Sequence, residues 1–572
     1  MSFIKTLIQG NEGGLKADGL TPTQKVTLRA VIVGVLYYGL SAIEGMMMRM
    51  HAISPLPMLD DAHYFSVLTV HPIVGIFGST YLVVFGAFTF LVPYLMGKPL
   101  YSVKLANATW IMIAVGTLSS WLGGFIFHYA PLYTLYWPLP VDFKQFDAIG
   151  GLVFITGIAV IMLGTLGFIY NIFATVFYTE DGHEKRPIKP LLISALGIDG
   201  MLNILYKMTG REPYSKEPAV SLPVVAIFRG TIDTFLDALV ILTCGVLILV
   251  YIVGDMSGAS MDYTAVNALL YKNFFWWGLD LIADGLVLIY VAGSWYLLAM
   301  LITGKKLFMQ NIARAALLLE LIVSWAVWSH HLLGDQGQPN MMKLVSGEMV
   351  TAFELVTQGI AIFITLVTLY SARPLKMTNE LKFLLGGILG FMLAVPAGIL
   401  QADMGLNRVL HNSQWVAGPH FHVAILVGLT MTLYSAVYIL WPTLTNNVKL
   451  YSQKLANFHF WGQLVGGIGM GAFMGMAALD GAMRRQVYLN GEFFDYMVLA
   501  GMAGALLLAA WLAFLLNVVM SIGVQGLIGI FTPSKLQTKD LIPAEDGSVS
   551  EDAPSQEAPN SGEPTPAPVS NN

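Results

Sequence analysis

The segment from Asn273 to Gly285 combines an apolar run with two carboxylates placed four residues apart. Asp280 and Asp284 stand in the sequence Trp-Trp-Gly-Leu-Asp-Leu-Ile-Ala-Asp-Gly, which begins at Trp276. On a helix, residues i and i+4 share one face. Ionisable groups in a bilayer-length apolar segment persist mainly where they meet a partner, a cavity or a metal. This segment therefore indicates a buried site that takes partners from elsewhere in the chain.

Histidines that could complete such a site occur in two groups. His330 and His331 are adjacent and diverge by about 100° on a helix, so both can reach one metal placed between them. A structural Asp–His pair without metal is the alternative. His420 and His422 point to nearly opposite sides of a helix and suit two metals, and His71 offers a second axial ligand for one of these. Two imidazoles with carboxylate suit non-haem iron better than copper, because carboxylates are hard ligands.

The composition is that of an integral membrane protein. Of 572 residues, 56% are hydrophobic and only 11% are charged, whereas about a quarter of a soluble domain is charged. The net charge of −5 does not suggest nucleic acid binding. Cys244 is the single cysteine, which excludes a disulfide framework, a thiolate zinc site, an iron–sulfur cluster and a CxxCH haem attachment site.

Long apolar stretches divide the chain into membrane spans. Because a spanning helix needs about 20 mostly apolar residues, the sequence predicts an all-α integral membrane protein with about twelve transmembrane helices. They form one domain over 26–523, after a cytoplasmic segment 1–25. The predicted spans are 26–49, 64–95, 106–129, 147–178, 221–254, 268–303, 309–333, 345–371, 381–402, 411–441, 455–479 and 494–523.

Two segments outside the spans have distinct compositions. The connection 178–220 carries six Lys and Arg residues, and its 191–208 portion is predicted to lie on the membrane surface as a helix. The tail 540–572 is rich in Pro, Ser, Glu and Asn and has few large apolar residues, so we predict that it is disordered.

Lysine and arginine are concentrated in the loops after spans two, four, six, eight and ten. The positive-inside rule then places both termini in the cytoplasm. In that orientation His71, Asp280, Glu354 and both histidine groups lie at similar depth in the outer part of the membrane. The agreement in depth indicates one shared site.

Twelve spans carrying His71, the pair in Trp-Ser-His330-His331 and the triplet His420-Phe-His422 resemble the catalytic subunit of the haem–copper oxidase superfamily. The resemblance implies a twelve-helix bundle with two haems, of b type, and a second metal. It assigns His71 and His422 to a low-spin haem, His420 to a high-spin haem and His330 with His331 to the second metal. His411 resembles a residue near the haem propionates, although Pro419 looks like an insertion in that region.

At the second metal the sequence departs from the oxygen-reducing members. Those have a histidine where Asp280 stands, and many have a tyrosine where Asp284 stands. Nitric oxide reductases are more similar, since they read Trp-Trp-x-x-His-x-x-x-Glu-Gly and carry a second glutamate that matches Glu354. The resemblance therefore implies Asp280 and Asp284 as metal ligands, with both carboxylates and Glu354 in catalysis. Ile282 replaces a glutamate that gates proton pumping in many oxidases, and span eight lacks a lysine, so the sequence predicts no pumping.

The sequence is interpreted as that of a divergent nitric oxide reductase in the inner membrane of a prokaryote. It would reduce two NO to N2O and water in respiratory denitrification, with iron favoured over copper as the second metal. An electron-donating subunit or protein, cytochrome c-like or cupredoxin-like, is implied because the chain has no c-haem or CuA motif. The partners are then this donor, a small gaseous substrate and membrane lipid. The alternatives are a terminal oxidase reducing O2 to water and a twelve-span transporter without haem.

Overall fold

The structure, a computed structural model, describes residues 3–53, 60–178, 187–335, 337–488 and 491–536. Over these ranges the chain is helical, and its only β feature is an isolated antiparallel bridge between Ser413 and Met483. The predicted all-α membrane fold is thereby confirmed. The tail 540–572 and residues 179–186 of the basic connection lie outside the described residues.

In the described part of the chain, eleven helices are long and apolar enough to cross a membrane. They correspond to the predicted spans other than the seventh. We label the twelve helices, with the shorter seventh, α1 Pro22–Ile53, α2 Asp61–Met96, α3 Val103–Ile126, α4 Ala148–Phe177, α5 Leu222–Met256, α6 Ala268–Thr303, α7 Gln310–Ser324, α8 Asn340–Tyr370, α9 Asn379–Ala402, α10 Val416–Thr445, α11 Gln453–Leu479 and α12 Phe494–Phe531.

The seventh span is shorter than the predicted 309–333. Helix α7 has 15 residues, below the roughly 20 that cross a bilayer. It ends where the Ser324 hydroxyl and the Trp325 indole both donate to Asp233 of α5, at 3.2 Å and 3.1 Å. The chain then turns into a short 3₁₀ helix, His330–Leu332. The adjacent histidines therefore lie on a turn after the helix, where the sequence had predicted them near its end.

The connections contain short helices. The long basic connection contains two short helices, Ile188–Ala195 and Ile198–Met208, which meet at 86°. If this pair is counted as one broken span, the number of candidate membrane spans rises to twelve. The salt bridge from Arg314 of α7 to Asp199, at 3.1 Å, holds this pair against the bundle. The other short helices are Phe3–Gln9, Asn11–Gly13, Ala17–Gly19, Leu139–Val141, Tyr263–Ala265 and Met404–Leu410.

Five of the labelled helices contain π-helical stretches, in which the backbone hydrogen bonds span five residues. These are Val74–Tyr81, Leu122–Ile126, Ala283–Ile289, Leu344–Met349 and Val416–Leu429. Four of them contain or closely adjoin a predicted site residue, the exception being the stretch in α3. π-Turns inside α-helices are frequent at functional sites, because they re-aim side chains without ending the helix.

Candidate metal centre

A single cavity of about 460 Å³ inside the bundle brings together every residue that the sequence predicts for the site. Its walls come from α1, α2, α4 to α6 and α8 to α12, together with the turn that follows α7, and most of the lining is apolar. The predicted residues among its lining are His71, Asp280, Asp284, His330, His331, Glu354, His420 and His422. The structure thus places the two histidine groups and the carboxylates around one space, as their common depth had suggested.

His71 and His422 face each other across this space. Their ring centroids lie 6.3 Å apart and the ring planes differ by 24°. This separation leaves room for one metal atom bound to a nitrogen of each ring, at the roughly 2 Å typical of imidazole ligands. The Nδ1 of His71 lies 3.0 Å from the carbonyl oxygen of Ser41, and that of His422 is bonded to the carbonyl oxygen of Ala417.

The other three histidines have their Nδ1 atoms engaged in the same way. His330 Nδ1 lies 2.8 Å from the Ser346 carbonyl oxygen, and His420 Nδ1 lies 3.5 Å from that of Ala394. His331 Nδ1 is bonded to the carboxylate of Asp280. Within the described ranges, no hydrogen bond reaches the Nε2 atom of any of the five rings. Engaging Nδ1 fixes the ring and leaves Nε2 for a metal, which is the usual arrangement of metal-binding histidines.

The ring of His420 is additionally positioned by the absence of a side chain on α9. A Cβ atom at Gly398 would lie 2.8 Å from Cε1 of His420 and 3.0 Å from its Nδ1. A side chain at this position would therefore displace the imidazole. The glycine allows the ring to lie directly against the backbone of α9.

Asp280 uses one oxygen to orient His331 and has a second oxygen free. Its Oδ2 is buried and lacks a hydrogen-bond partner, and the Asp280 side chain is 2% exposed. The ring of Trp276 stacks on His331 with centroids 5.2 Å apart, which fixes the imidazole from the other side. The sequence predicted Asp280 as a direct ligand. The structure shows Asp280 as the hydrogen-bond acceptor of His331, with Oδ2 still available.

Asp284 and Glu354 each bring a further unsatisfied oxygen to the cavity. Asp284 Oδ2 and Glu354 Oε1 are buried and have no hydrogen-bond partner. Across the described residues, no group of three or more His, Cys, Asp or Glu side chains is already arranged to hold a metal ion. A buried carboxylate oxygen without a partner is costly, so these atoms suit a cation or a shared proton. The donor set fits two haems and one further metal.

Two arginines at this cavity were missed by the sequence interpretation. Arg484 and Arg485 follow α11 and line the cavity, and Arg485 donates to the hydroxyl of Tyr133 at 3.2 Å. Burial of Tyr133 raises its pKa, but the two adjacent guanidiniums outweigh this and leave the pKa below its usual value. Adjacent cations suit anionic substituents such as haem propionates. The signal was two basic residues in a loop on the side that is otherwise poor in them.

His411 lies beside these arginines. Its ring centroid is 6.2 Å from that of His331. Burial and the charge of Arg484 hold its pKa well below the usual value, so the ring is neutral. The Ser413–Met483 bridge ties this segment to the arginine loop, and the backbone N–H of Arg484 donates to the Asn412 carbonyl at 3.0 Å. His411 thus lies beside the arginine pair, and its role near haem propionates stays a prediction.

Together, the membrane-spanning bundle and a buried cavity lined by imidazoles with unbonded Nε2 atoms define an integral membrane protein with a candidate metal centre. The chain matches the family described as Cytochrome C and Quinol oxidase polypeptide I over residues 25–515 and belongs to that family. Members bind haems and a copper or other metal at a binuclear centre. Family membership argues against a transporter without haem.

Several named relatives are similar to this chain at low identity. Cytochrome c oxidase polypeptide 1 of Halobacterium salinarum is 25% identical over 220 residues, 38% of this chain and 36% of that protein. Probable quinol oxidase subunit 1 of Staphylococcus aureus is 22% identical over 502 residues, 86% of this chain and 69% of that protein. Matches to relatives from Aeropyrum pernix and Synechocystis span only 23% and 34% of their length.

A solved structure supports the fold. It is a heme-copper terminal oxidase dimer, and it is similar to this chain with a TM-score of 0.71 and 19% identity. The likeness covers 93% of this chain and 88% of the other. At this identity it shows the architecture of the bundle alone.

Proposed function

We propose that this chain is the catalytic subunit of a nitric oxide reductase. The observation that carries the proposal is the carboxylate wall beside His330 and His331, made by Asp280, Asp284 and Glu354, each with one buried oxygen that lacks a partner. By the family resemblance, Asp284 occupies the place where oxygen-reducing members often have a tyrosine and nitric oxide reductases have a glutamate. The reaction takes two NO, two electrons and two protons to N2O and one water.

The residues divide between two tasks in this proposal. His71 and His422 would hold the low-spin haem, and His420 the high-spin haem. His330 and His331 would hold the second metal, for which iron is favoured because the nearby donors are carboxylates. When bound, the haems carry electrons and the paired metals act as Lewis acids that hold two substrate molecules close together.

The carboxylates act on charge and protons. Asp280 holds the imidazole of His331 in one tautomer, because its Oδ1 accepts the hydrogen of Nδ1. Asp284 and Glu354 present oxygens to a mostly apolar cavity, so few other acceptors compete for a proton held there. Such a site keeps protons near the substrate until electrons arrive. Asp284→Ala should accordingly lower activity more than metal content.

The electron donor and the cellular location follow from the same assignment. We propose b-type haems reduced by a cytochrome c-like or cupredoxin-like protein, or by quinol. Of these donors, the names of the relatives mention cytochrome c and quinol. The site would lie in the outer half of a prokaryotic inner membrane, with both termini in the cytoplasm. The arginine loop at the cavity lies on the outer side in this orientation.

A terminal oxidase is the second candidate, because the named relatives are oxidases. One experiment separates the two. The purified protein is supplied with an artificial donor, and consumption of NO under anaerobic conditions is compared with consumption of O2. The proposal expects NO to be reduced in the stoichiometry of two NO per N2O, with much slower O2 uptake. Faster O2 reduction, with four electrons per molecule, would assign the oxidase instead.

Turnover in this chain should not pump protons. Between residues 345 and 370 helix α8 has no lysine, and Ile282 stands where many pumping oxidases have a glutamate. Proteoliposomes reducing NO with an artificial donor should therefore eject no protons, as followed with a pH-sensitive dye outside the vesicles. A pumping oxidase in matched vesicles is the positive control. Sustained acidification outside that an uncoupler abolishes would contradict the prediction.

A further inference from the structure

Four acidic side chains from four helices converge at and behind one wall of the cavity. They are Asp233 of α5, Asp284 of α6, Glu320 of α7 and Glu354 of α8. Asp284 lies close enough to the other three for their charges to interact. In the part of the chain that the structure describes, none of the four forms an ion pair with Lys, Arg or His. Asp233 and Glu320 do not line the cavity, and a buried carboxylate without a countercharge is strongly disfavoured, so these two side chains suit bound protons.

Of the four acids, Glu320 lies directly behind the cavity wall that Glu354 helps to form. Glu354 lines the cavity whereas Glu320 does not, and Glu320 is 1% exposed. The hydroxyl of Thr357 donates to Glu320 Oε2 and also lies 3.0 Å from the carbonyl oxygen of Glu354. The second oxygen, Oε1, is buried without a partner. The Thr357 hydroxyl thus holds the Glu320 carboxyl against the main chain of the Glu354 turn, and one oxygen of Glu320 is left to accept or hold a proton.

Asp233 stands one step further from the cavity and is fully buried. It accepts hydrogen bonds from Ser324 and Trp325, and Ser324 lies one helical turn after Glu320 on α7. A Cβ atom at Gly285 would lie 3.1 Å from the Cβ of Asp233. The glycine that follows Asp284 therefore allows Asp233 to pack against the backbone of α6.

Beyond Asp233 the interior continues with hydroxyl groups. The phenol of Tyr290 lies 3.0 Å from the hydroxyl of Thr231 and 3.2 Å from that of Thr234. All three residues are buried and flank Asp233. Helix α5 begins at Leu222, on the side of the basic loops, and Asp233 lies about 16 Å along it at 1.5 Å per residue. Carboxyl and hydroxyl groups that can exchange protons therefore extend from the cavity toward the side with the basic loops.

We propose that Glu320 and Asp233 form a proton relay that supplies the catalytic cavity from the side of the basic loops. The relay rests on the proposed function: each pair of NO molecules consumes two protons, which leave with the oxygen as water, and two electrons from the donor protein. Protons reach the Glu354 wall by way of Glu320, and Asp233 restores the proton on Glu320. The hydroxyl of Thr357 positions the Glu320 carboxyl for the last step.

The test uses the full-length holoprotein with Glu320→Gln and Asp233→Asn, which keep size and polarity but cannot release a proton. Asp237→Asn is the matched control, since Asp237 is an equally buried acid one turn along α5 that instead accepts from the Tyr81 hydroxyl at 3.0 Å. Turnover is measured with an artificial donor in H2O and D2O, after haem content has been checked. We expect Glu320→Gln to lower turnover about tenfold or more and to raise the solvent isotope effect, while Asp237→Asn stays close to wild type.

Glu320→Asp keeps an ionisable group and should recover part of the turnover, which a purely structural role would not require. Should Glu320→Gln lose haem, Asp233→Asn and Glu320→Asp decide by the same measurements. Wild-type turnover with an unchanged isotope effect in both relay variants would overturn the proposal. Every assay is run with NO and with O2. If wild type reduces O2 faster but Glu320→Gln slows that reaction, the relay stands and the proposed substrate falls.

Discussion

Replacing His71 or His422 with alanine should remove the low-spin haem while leaving the high-spin haem in place. The two rings are 6.3 Å apart and are the only pair in the described structure arranged face to face across the cavity with both Nδ1 atoms anchored. In the proposed assignment, either variant would leave the haem iron with one imidazole, which does not maintain a low-spin state. The reduced-minus-oxidised optical spectrum of the purified variant should lose its low-spin bands.

His459→Ala is the control for this experiment. His459 is a fully buried histidine on α11 that contacts the Tyr438 hydroxyl at 3.0 Å and does not line the cavity. Its removal should leave both haem signals unchanged. A colourless wild-type protein after expression with ample haem would refute the assignment of two haems altogether, and low-spin bands that persist in His71→Ala and His422→Ala would refute the ligand assignment.

Replacing Asp280 with alanine should lose the second metal and NO reduction while both haems remain. The mutation removes the acceptor that orients His331 and also the free Oδ2, so metal affinity should fall by about 10- to 100-fold or more. Elemental analysis of wild type should give about three iron atoms per chain, two of them in haem. The variant should fall toward two, with the haem spectrum unchanged.

Asp280→His is the sharper variant because it restores the ligand found in the common members of the family. It should retain the second metal, whereas Asp280→Ala should not. Asp280→Asn keeps the shape of the side chain and a carbonyl oxygen for His331 but removes the charge, so it separates orientation from charge. Stoichiometric copper with about two iron atoms per chain would reject the iron assignment and favour the oxidase.

Most of the site could be predicted from the sequence because ionisable residues are rare in apolar segments and therefore stand out. All eight predicted residues line the same cavity, and their shared depth could be read from span positions and loop charge. The twelve-helix architecture could be predicted from hydropathy, because the same apolar segments are long and nearly free of charge. Their individual roles as ligands and proton carriers remain predictions that the experiments above address.

Other features depend on conformation that spacing does not encode. The end of α7 at Ser324 is set by Asp233, a residue 91 positions earlier in the chain. No local sequence pattern could therefore predict where this helix ends. The hydrogen bond from His331 to Asp280 exists only because the histidine lies on the turn that follows. Arg484 and Arg485 escaped notice because charged loop residues are ordinary, and the backbone contacts with Asn412 and Ser413 that bring their loop to the cavity follow no local pattern.

The π-helical segment Val416–Leu429 contains Pro419, the residue that resembles an insertion. An extra residue in a regular α-helix would rotate everything beyond it by about 100°. A π-turn absorbs that residue locally, and proline suits the interrupted ladder because it has no N–H to donate. The register of α10 beyond Leu429 is thereby preserved while His420 and His422 are re-aimed. Chain length at one position thus controls the direction of two histidine side chains, and deleting Pro419 would turn both imidazoles without changing either residue.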